Sequence, residues 1–269
     1  MSDEKEAKSF FFEASSLKRE QYDQVLILGE AHIGKSTSVI ASAADAFGKG
    51  FVLNCGKKGG LDPAARRTSN FKGALIRHDG HMDAAVKEAR EGAKRGEYKW
   101  IVLDDFNMYA VWLEQTLEDQ TRNAKGEPDG RRFWREYRKR LANILVRLFD
   151  AKAHFYCITH YIEIGGDNPQ LIDGQTEKQG RGVVPLFGGA ARKEIPGMFK
   201  DVVFMSLDKR GNRVFQINPI GVFGPSCASL DGTREIPADV GELHQAFIDG
   251  DKPRKNGASA SREERSARR

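Results

Sequence analysis

No apolar run in the 269-residue chain approaches the roughly eighteen residues that a membrane-crossing helix needs, so no membrane partner is expected. Cysteine is scarce. Cys55, Cys157 and Cys227 are odd in number and far apart, which argues against a disulfide framework or a closely spaced metal module and suits buried thiols in a reducing compartment. The opening residues, MSDEKEAKSFFFEASS, carry acids and lack a long apolar stretch before a small-residue cleavage site, so they do not read as a secretory signal. A cytoplasmic location is therefore expected. Internal repeats are absent and no linker clearly divides the chain. The 39% of hydrophobic residues is ample for one sizeable core.

The net charge of +5 is unevenly placed. From Asp251 onward, seven basic residues stand against three acidic ones in a stretch rich in Gly, Ala, Ser and Arg that cannot build a core. Residues 251–269 read as a basic disordered tail, either a solvated end or an arm that finds phosphate backbones through counterion release. Residues 1–23 read as a polar extension whose apolar knot, Phe10-Phe11-Phe12, packs on the core's edge.

Between them, apolar runs of strand type alternate with helical periodicity. Strands are expected at Gln24–Leu28, Phe51–Asn54, Ala74–Arg77, Tyr98–Leu103 and His154–Thr159, and a hairpin over Asp201–Leu207 and Arg213–Pro219. Helices are expected over Lys35–Phe47 and Met82–Arg95. A long helical stretch then breaks near Lys125–Gly130 and resumes over Arg131–Phe149. The alternation predicts an α/β fold over residues 24–250, with a mostly parallel central sheet flanked by helices and an antiparallel C-terminal extension.

Gly29-Glu30-Ala31-His32-Ile33-Gly34-Lys35-Ser36 fits the phosphate-loop pattern G-x-x-x-x-G-K-[ST] without a mismatch, between a strand and a helix. Glycines at both ends allow backbone angles and close approaches that a Cβ would obstruct. The loop N–H groups and the helix N-terminus then suit phosphate oxygens. Lys35 is placed to reach the β- and γ-phosphates of ATP, and Ser36 to ligate Mg²⁺, with Thr37 the next residue of the nucleotide-contacting set. His32 reads as a spacer. Glu30 either points away from the nucleotide or handles a water.

Trp100-Ile101-Val102-Leu103-Asp104 is an apolar strand ending in an acid, which makes Asp104 the candidate metal-side carboxylate. Asp105 either polarises the attacking water or caps the following helix. Thr159 and His160 end another strand at the sheet edge where ligands of open α/β sheets collect. They either sense the γ-phosphate or, for His160, cap the strand. The other histidines show no metal spacing with cysteine or acid partners.

GEAHIGKS, WIVLDD and HFYCITHY, followed by VVPLFGGAARKEIPGMFKDVVFMSLDKRGNRVFQINP, make residues 24–248 resemble the phage-type RecA-like nucleotide-binding proteins, among them the Sak-type single-strand annealing recombinases of bacteriophages. Pro185-Leu186-Phe187-Gly188-Gly189 with Ile195-Pro196 and Asp201 is the more telling part; Phe199-Lys200-Asp201 departs slightly from the family's run. The resemblance implies a RecA-like P-loop ATPase that binds ATP and Mg²⁺, forms a homo-oligomer (ring or filament) and acts on single-stranded DNA in recombination or replication. In RecA-like proteins the base often lies on a Glu after the second strand. Asn54-Cys55-Gly56-Lys57-Lys58 has no acid there, so the base stays open between Asp105, Glu30 and another group, and hydrolysis is expected to be slow.

Lys57, Lys58, Arg66, Arg67, Lys72 and Arg77 form a basic stretch that is either solvated or DNA-facing. Phe71 and Phe187 either stack bases or anchor loops. Arg192, Lys193 and Arg210 are candidates for a charge supplied in trans. Two other functions stay open: an ATPase that remodels or moves protein, and a nucleotide-gated binding module with negligible turnover.

Overall fold

The computed structural model describes residues 22–57, 59–122, 126–127, 129–164, 182–218 and 225–250. The N-terminal knot at Phe10–Phe12, Lys58 of the basic stretch, part of the helix break near Lys125 and the basic tail all lie outside these residues.

Ten strands and seven α-helices follow in chain order among the described residues. They are β1 (Gln24–Gly29), α1 (Lys35–Phe47), β2 (Gly50–Asn54), α2 (Asp62–Ala65), β3 (Phe71–Leu75), α3 (Asp79–Lys94), β4 (Trp100–Asp104), α4 (Phe106–Gln120) and α5 (Gly130–Phe149). Then come β5 (His154–Thr159), β6 (Tyr161–Ile164), β7 (Gly182–Pro185), α6 (Ala191–Glu194), β8 (Asp201–Leu207), β9 (Arg213–Ile217), β10 (Arg234–Pro237) and α7 (Val240–Gly250). Eight strands form one sheet in the order β10-β9-β8-β1-β5-β4-β2-β3, and β6 pairs with β7 as a separate antiparallel ribbon. Pairing from β8 across to β3 is parallel; β9 and β10 add on antiparallel. The expected architecture, a mostly parallel sheet with antiparallel C-terminal strands, is the one formed.

Side-chain alternation along β1 explains the two layers. Leu26 and Leu28 enter one core with Phe51, Leu103, Phe155 and the inner faces of α3, α4 and α5. Val25 and Ile27 enter the other with Trp100, Tyr156, Met205, α1 and α7. All these side chains on β1 are fully buried, as a central strand covered on both faces requires.

Two glycines mark tight fits against buried aromatic rings. A Cβ on Gly50 would lie 2.1 Å from the Trp100 ring, and one on Gly92 would lie 2.1 Å from the Tyr98 ring. Trp100 Nε1 donates to the Gly48 carbonyl at 2.7 Å, so this buried indole keeps its polar atom satisfied.

Several boundaries differ from the sequence expectation. The third strand runs over Phe71–Leu75 rather than from Ala74, because it pairs in register with the whole of β2. The hairpin expected over 201–219 is present, but its first arm also pairs parallel to β1, from Val25↔Asp201 to Gly29↔Met205, and so belongs to the parallel part of the sheet. The β6–β7 ribbon, β10 and α7 had no counterpart in the sequence reading. None of the described helices is long and apolar enough to cross a membrane.

Candidate active site

Because β1, β2, β4 and β5 are parallel, their C-terminal residues meet at one edge. Leu28 pairs with Thr159 and Asn54 with Asp104. The loop from Glu30 to Gly34 leaves β1 at this edge and feeds α1, whose N-cap is Gly34 at φ +93°. An L side chain is strained at that angle, and a Cβ there would also meet Arg213 Nε at 2.7 Å. Gly29 is required for a different reason: a Cβ on it would lie 2.9 Å from the Met205 carbonyl oxygen. His32 takes φ +62°, so the residue read as a spacer also supports the loop's curvature.

Around this loop lies a cavity of about 370 Å³. Lys35, Ser36, Thr37, Asp104, Asp105 and His160 line it together, with Ala31, His32 and Gly34 contributing from the loop itself. The structure thus brings most of the sequence-derived site residues to one place. Lys35 is buried, and its Nζ donates to the carbonyls of Gly29 (2.8 Å) and Glu30 (2.6 Å). Burial pulls its ammonium down to about 8, while the Asp105, Asp104 and Glu30 carboxylates work the other way.

Ser36 Oγ donates to Asp104 Oδ1 at 2.8 Å, so the two oxygens expected from the sequence to share a metal lie against each other. Burial pushes the Asp104 carboxyl up to about 6; the Ser36 bond opposes this and Asp105 adds to it. A buried carboxylate beside a hydroxyl in a phosphate-loop cavity is the oxygen donor set that Mg²⁺ takes, with waters and phosphate oxygens completing the octahedron. The residues present therefore fit that ion.

Asp105 does not cap α4. It occupies the N-cap position at φ +61°, ψ +54°, a left-handed conformation, and its side chain makes no capping bond. Its Oδ1 is sealed from solvent without a hydrogen-bond partner of good geometry, although His160 Nε2 lies 3.4 Å away. Strained backbone and an under-satisfied carboxylate at one residue are the features that functional sites concentrate.

His160 does not simply end its strand. Its Nδ1 lies 3.3 Å from Lys35 Nζ, which joins the phosphate-loop lysine to Asp105 through one ring. Asn107 holds the main chain at this residue: its Oδ1 accepts from the His160 main-chain N–H (3.1 Å) and from Thr159 Oγ1 (3.2 Å). Thr159 is fully buried and therefore positions His160 rather than lining the cavity. Glu30 is turned outward, exposed, and accepts from Tyr161 Oη at 3.2 Å. On the second strand, Asn54 folds into a local turn, with Oδ1 accepting from the Gly56 N–H at 2.9 Å.

Asn107 and Arg213 were not foreseen. Asn107 follows two acids in the sequence and carries no motif. Arg213 lies 180 residues from Ile33, whose carbonyl accepts from its Nε, and only the β8–β9 pairing brings it to the loop. Of the other candidates, Lys72 pairs with Glu88 at 2.8 Å and Arg77 donates to the Gly56 carbonyl, so both are engaged within the fold. Phe187 is buried edge-to-face against Phe106, and Phe71 packs partly buried on the second core; both anchor structure. Arg192 and Lys193 sit on α6 and Arg210 on the β8–β9 turn, and none of them is among the residues lining the cavity.

Neither a protein-family model nor a curated sequence matches the chain. Among solved structures, it is similar to a prototypical ATPase from the type III secretion system of pathogenic bacteria, at 13% identity and a TM-score of 0.46. The match covers 70% of this chain and 51% of that one, so the chain spans about half the length of that protein. A likeness of this extent adds nothing to what the chain's own residues say.

Proposed function

We propose that this chain is a Mg²⁺-dependent ATP-binding protein that hydrolyses ATP at the Gly29–Ser36 loop. The observation that carries the reading is the convergence of Lys35, Ser36, Asp104, Asp105 and His160 on one cavity at the sheet's C-terminal edge. Loop N–H groups and the N-terminus of α1 hold the β- and γ-phosphates. Lys35 exchanges its loop carbonyls for phosphate oxygens. Ser36 and Asp104 would hold a Mg²⁺ ion, which when bound would supply positive charge to the phosphate oxygens.

Asp105 accepts a proton from the attacking water, and His160 fixes the position of its carboxylate. Oxygen of that water bonds to the γ-phosphorus, the bond to the bridging oxygen breaks, and the electron pair leaves on the β-phosphate, giving ADP and phosphate. Glu30 is the weaker candidate for the base, because its carboxylate faces Tyr161 outside the cavity. Phosphate release by the full chain with Mg²⁺ and ATP, compared with Lys35→Ala, tests this. ATP binding without phosphate release by the wild type would leave a nucleotide-gated binding module.

The driven substrate is single-stranded DNA, and the chain works as a homo-oligomer in which Arg192, Lys193 or Arg210 reaches a neighbour's nucleotide. Beyond the sequence resemblance, the support is the surface of α5, where Arg131, Arg132 and Arg135 line a shallow depression with the exposed Trp134, while Arg138 beside them is paired with Glu194. Guanidinium groups beside an exposed aromatic ring suit phosphates and stacked bases together. Phosphate release stimulated by a protein fraction and indifferent to single-stranded oligonucleotide would shift the reading to a remodelling ATPase.

A further inference from the structure

At the opposite end of the sheet from the phosphate loop, three residues distant in sequence meet. Asp23 leads into β1, His154 begins β5 and His244 lies on α7. The Asp23 carboxylate is buried, and its Oδ2 lies 3.0 Å from His154 Nδ1 and 2.8 Å from His244 Nδ1. One oxygen and two imidazole nitrogens, all within 4.8 Å of one another, make a compact donor set from three separate elements.

We propose that Asp23, His154 and His244 form a three-ligand site for a divalent transition-metal ion of the zinc class. Imidazole nitrogen with carboxylate oxygen is the donor chemistry such ions take, and a three-residue set leaves room for water to complete the shell. Tetrahedral donors about 2.05 Å from one ion lie about 3.3 Å apart. The Asp23 Oδ2 separations of 3.0 and 2.8 Å from the two imidazole nitrogens are hydrogen-bond lengths, so the set opens by a few tenths of an ångström when an ion replaces the shared protons.

The surroundings hold the three side chains in place. Tyr156 Oη donates to the same Asp23 oxygen at 3.2 Å, and Phe47 stacks on the His154 ring at 4.1 Å while meeting His244 edge-on at 5.2 Å. Carboxylates and rings fixed in this way are what tuned metal sites use. The ion would tie the C-terminal helix, through His244, to the paired starts of β1 and β5.

The test titrates Zn²⁺ alone, by calorimetry, into the full chain after chelator treatment and dialysis, without nucleotide or Mg²⁺. One equivalent is expected to bind. His244→Ala and Asp23→Asn are each expected to lower the affinity at least tenfold. Asp104→Asn, at the nucleotide cavity, and His81→Ala, in the exposed His78–His81 pair, are expected to leave it unchanged. No uptake by the wild type, or uptake undiminished in His244→Ala, overturns the site and leaves a proton-held clip. Should a variant fail to fold, the melting temperature of the wild type decides: a rise with Zn²⁺ that chelator reverses supports the site, and no rise overturns it.

Discussion

His160 Nε2 lies 3.4 Å from Asp105 Oδ1, and this contact is what the buried carboxylate oxygen has in place of a well-formed hydrogen bond. The ring that makes it also touches Lys35, so the proposed base, its proposed orienting group and the lysine of the Gly29–Ser36 loop form one connected set.

Replacing Asp105 by Asn keeps the shape and tolerates φ +61°, because Asn visits the left-handed region more readily than most residues. Phosphate release at saturating ATP is expected to fall about 10²- to 10⁴-fold with ATP affinity within a factor of a few. Asp105→Gly is expected to lose the same activity but to gain about 1 kcal/mol of stability by relieving the backbone. An active Asp105→Asn enzyme would remove the residue from the base role.

His160→Ala is expected to lower kcat more than it raises KM, since the ring aims the carboxylate rather than the nucleotide. Asn107→Ala is expected to reproduce a milder version of the same split. A pure KM effect in both variants would make His160 a binding residue.

Burial gives the ionised Asp104 a stability cost that a bound cation would offset. Its folded carboxyl is raised to about 6 from 3.8, so between those values the folded state binds more protons than the unfolded chain. Stability without cation or nucleotide is therefore expected to fall as pH rises through this window, by about 3 kcal/mol at most for a shift of about two units. Asp104→Asn is expected to melt higher than the wild type at neutral pH, lose Mg²⁺-dependent hydrolysis and lose this pH dependence. Thermal melts at pH 4 and pH 7 check the sign.

Arg213→Ala removes the side chain that holds the Ile33 carbonyl while leaving β9 intact. ATP affinity is expected to weaken by about 1 kcal/mol, roughly fivefold, with little change in melting temperature. Equilibrium binding of a fluorescent ATP analogue measures it.

On α5, Trp134→Ala is expected to weaken single-stranded DNA binding by about 1–3 kcal/mol for the stacked base. Arg131→Ala with Arg135→Ala is expected to reduce the salt slope by about 0.7 for each phosphate that the protein no longer neutralises. Titrations at several salt concentrations separate the two effects. Binding indifferent to all three changes would move the DNA elsewhere.

The phosphate loop and Asp104 were legible because their chemistry is contiguous in sequence: eight residues after an apolar strand, and one acid at the end of another. WIVLDD also showed the second acid, but not that Asp105 would sit left-handed with its side chain turned away from the helix end. Asn107, Arg213 and the Asp23–His154–His244 cluster depend on pairings between elements far apart in the chain, so residue spacing carried no signal for them. The same holds for the first arm of the 201–217 hairpin: its composition predicts a strand, while its parallel register against β1 is set by the sheet as a whole.

The fits at Gly50 and Gly92 constrain how this sequence can diverge. A side chain at either position collides with an aromatic ring that is itself fully buried, so substitution is blocked until Trp100 or Tyr98 has first become smaller. Losing the ring first leaves a void in the core, and adding the Cβ first gives a clash. Relatives should therefore change positions 50 and 100 as a pair, and 92 and 98 as another. Paired changes of that kind would identify distant members whose phosphate loops have drifted beyond recognition.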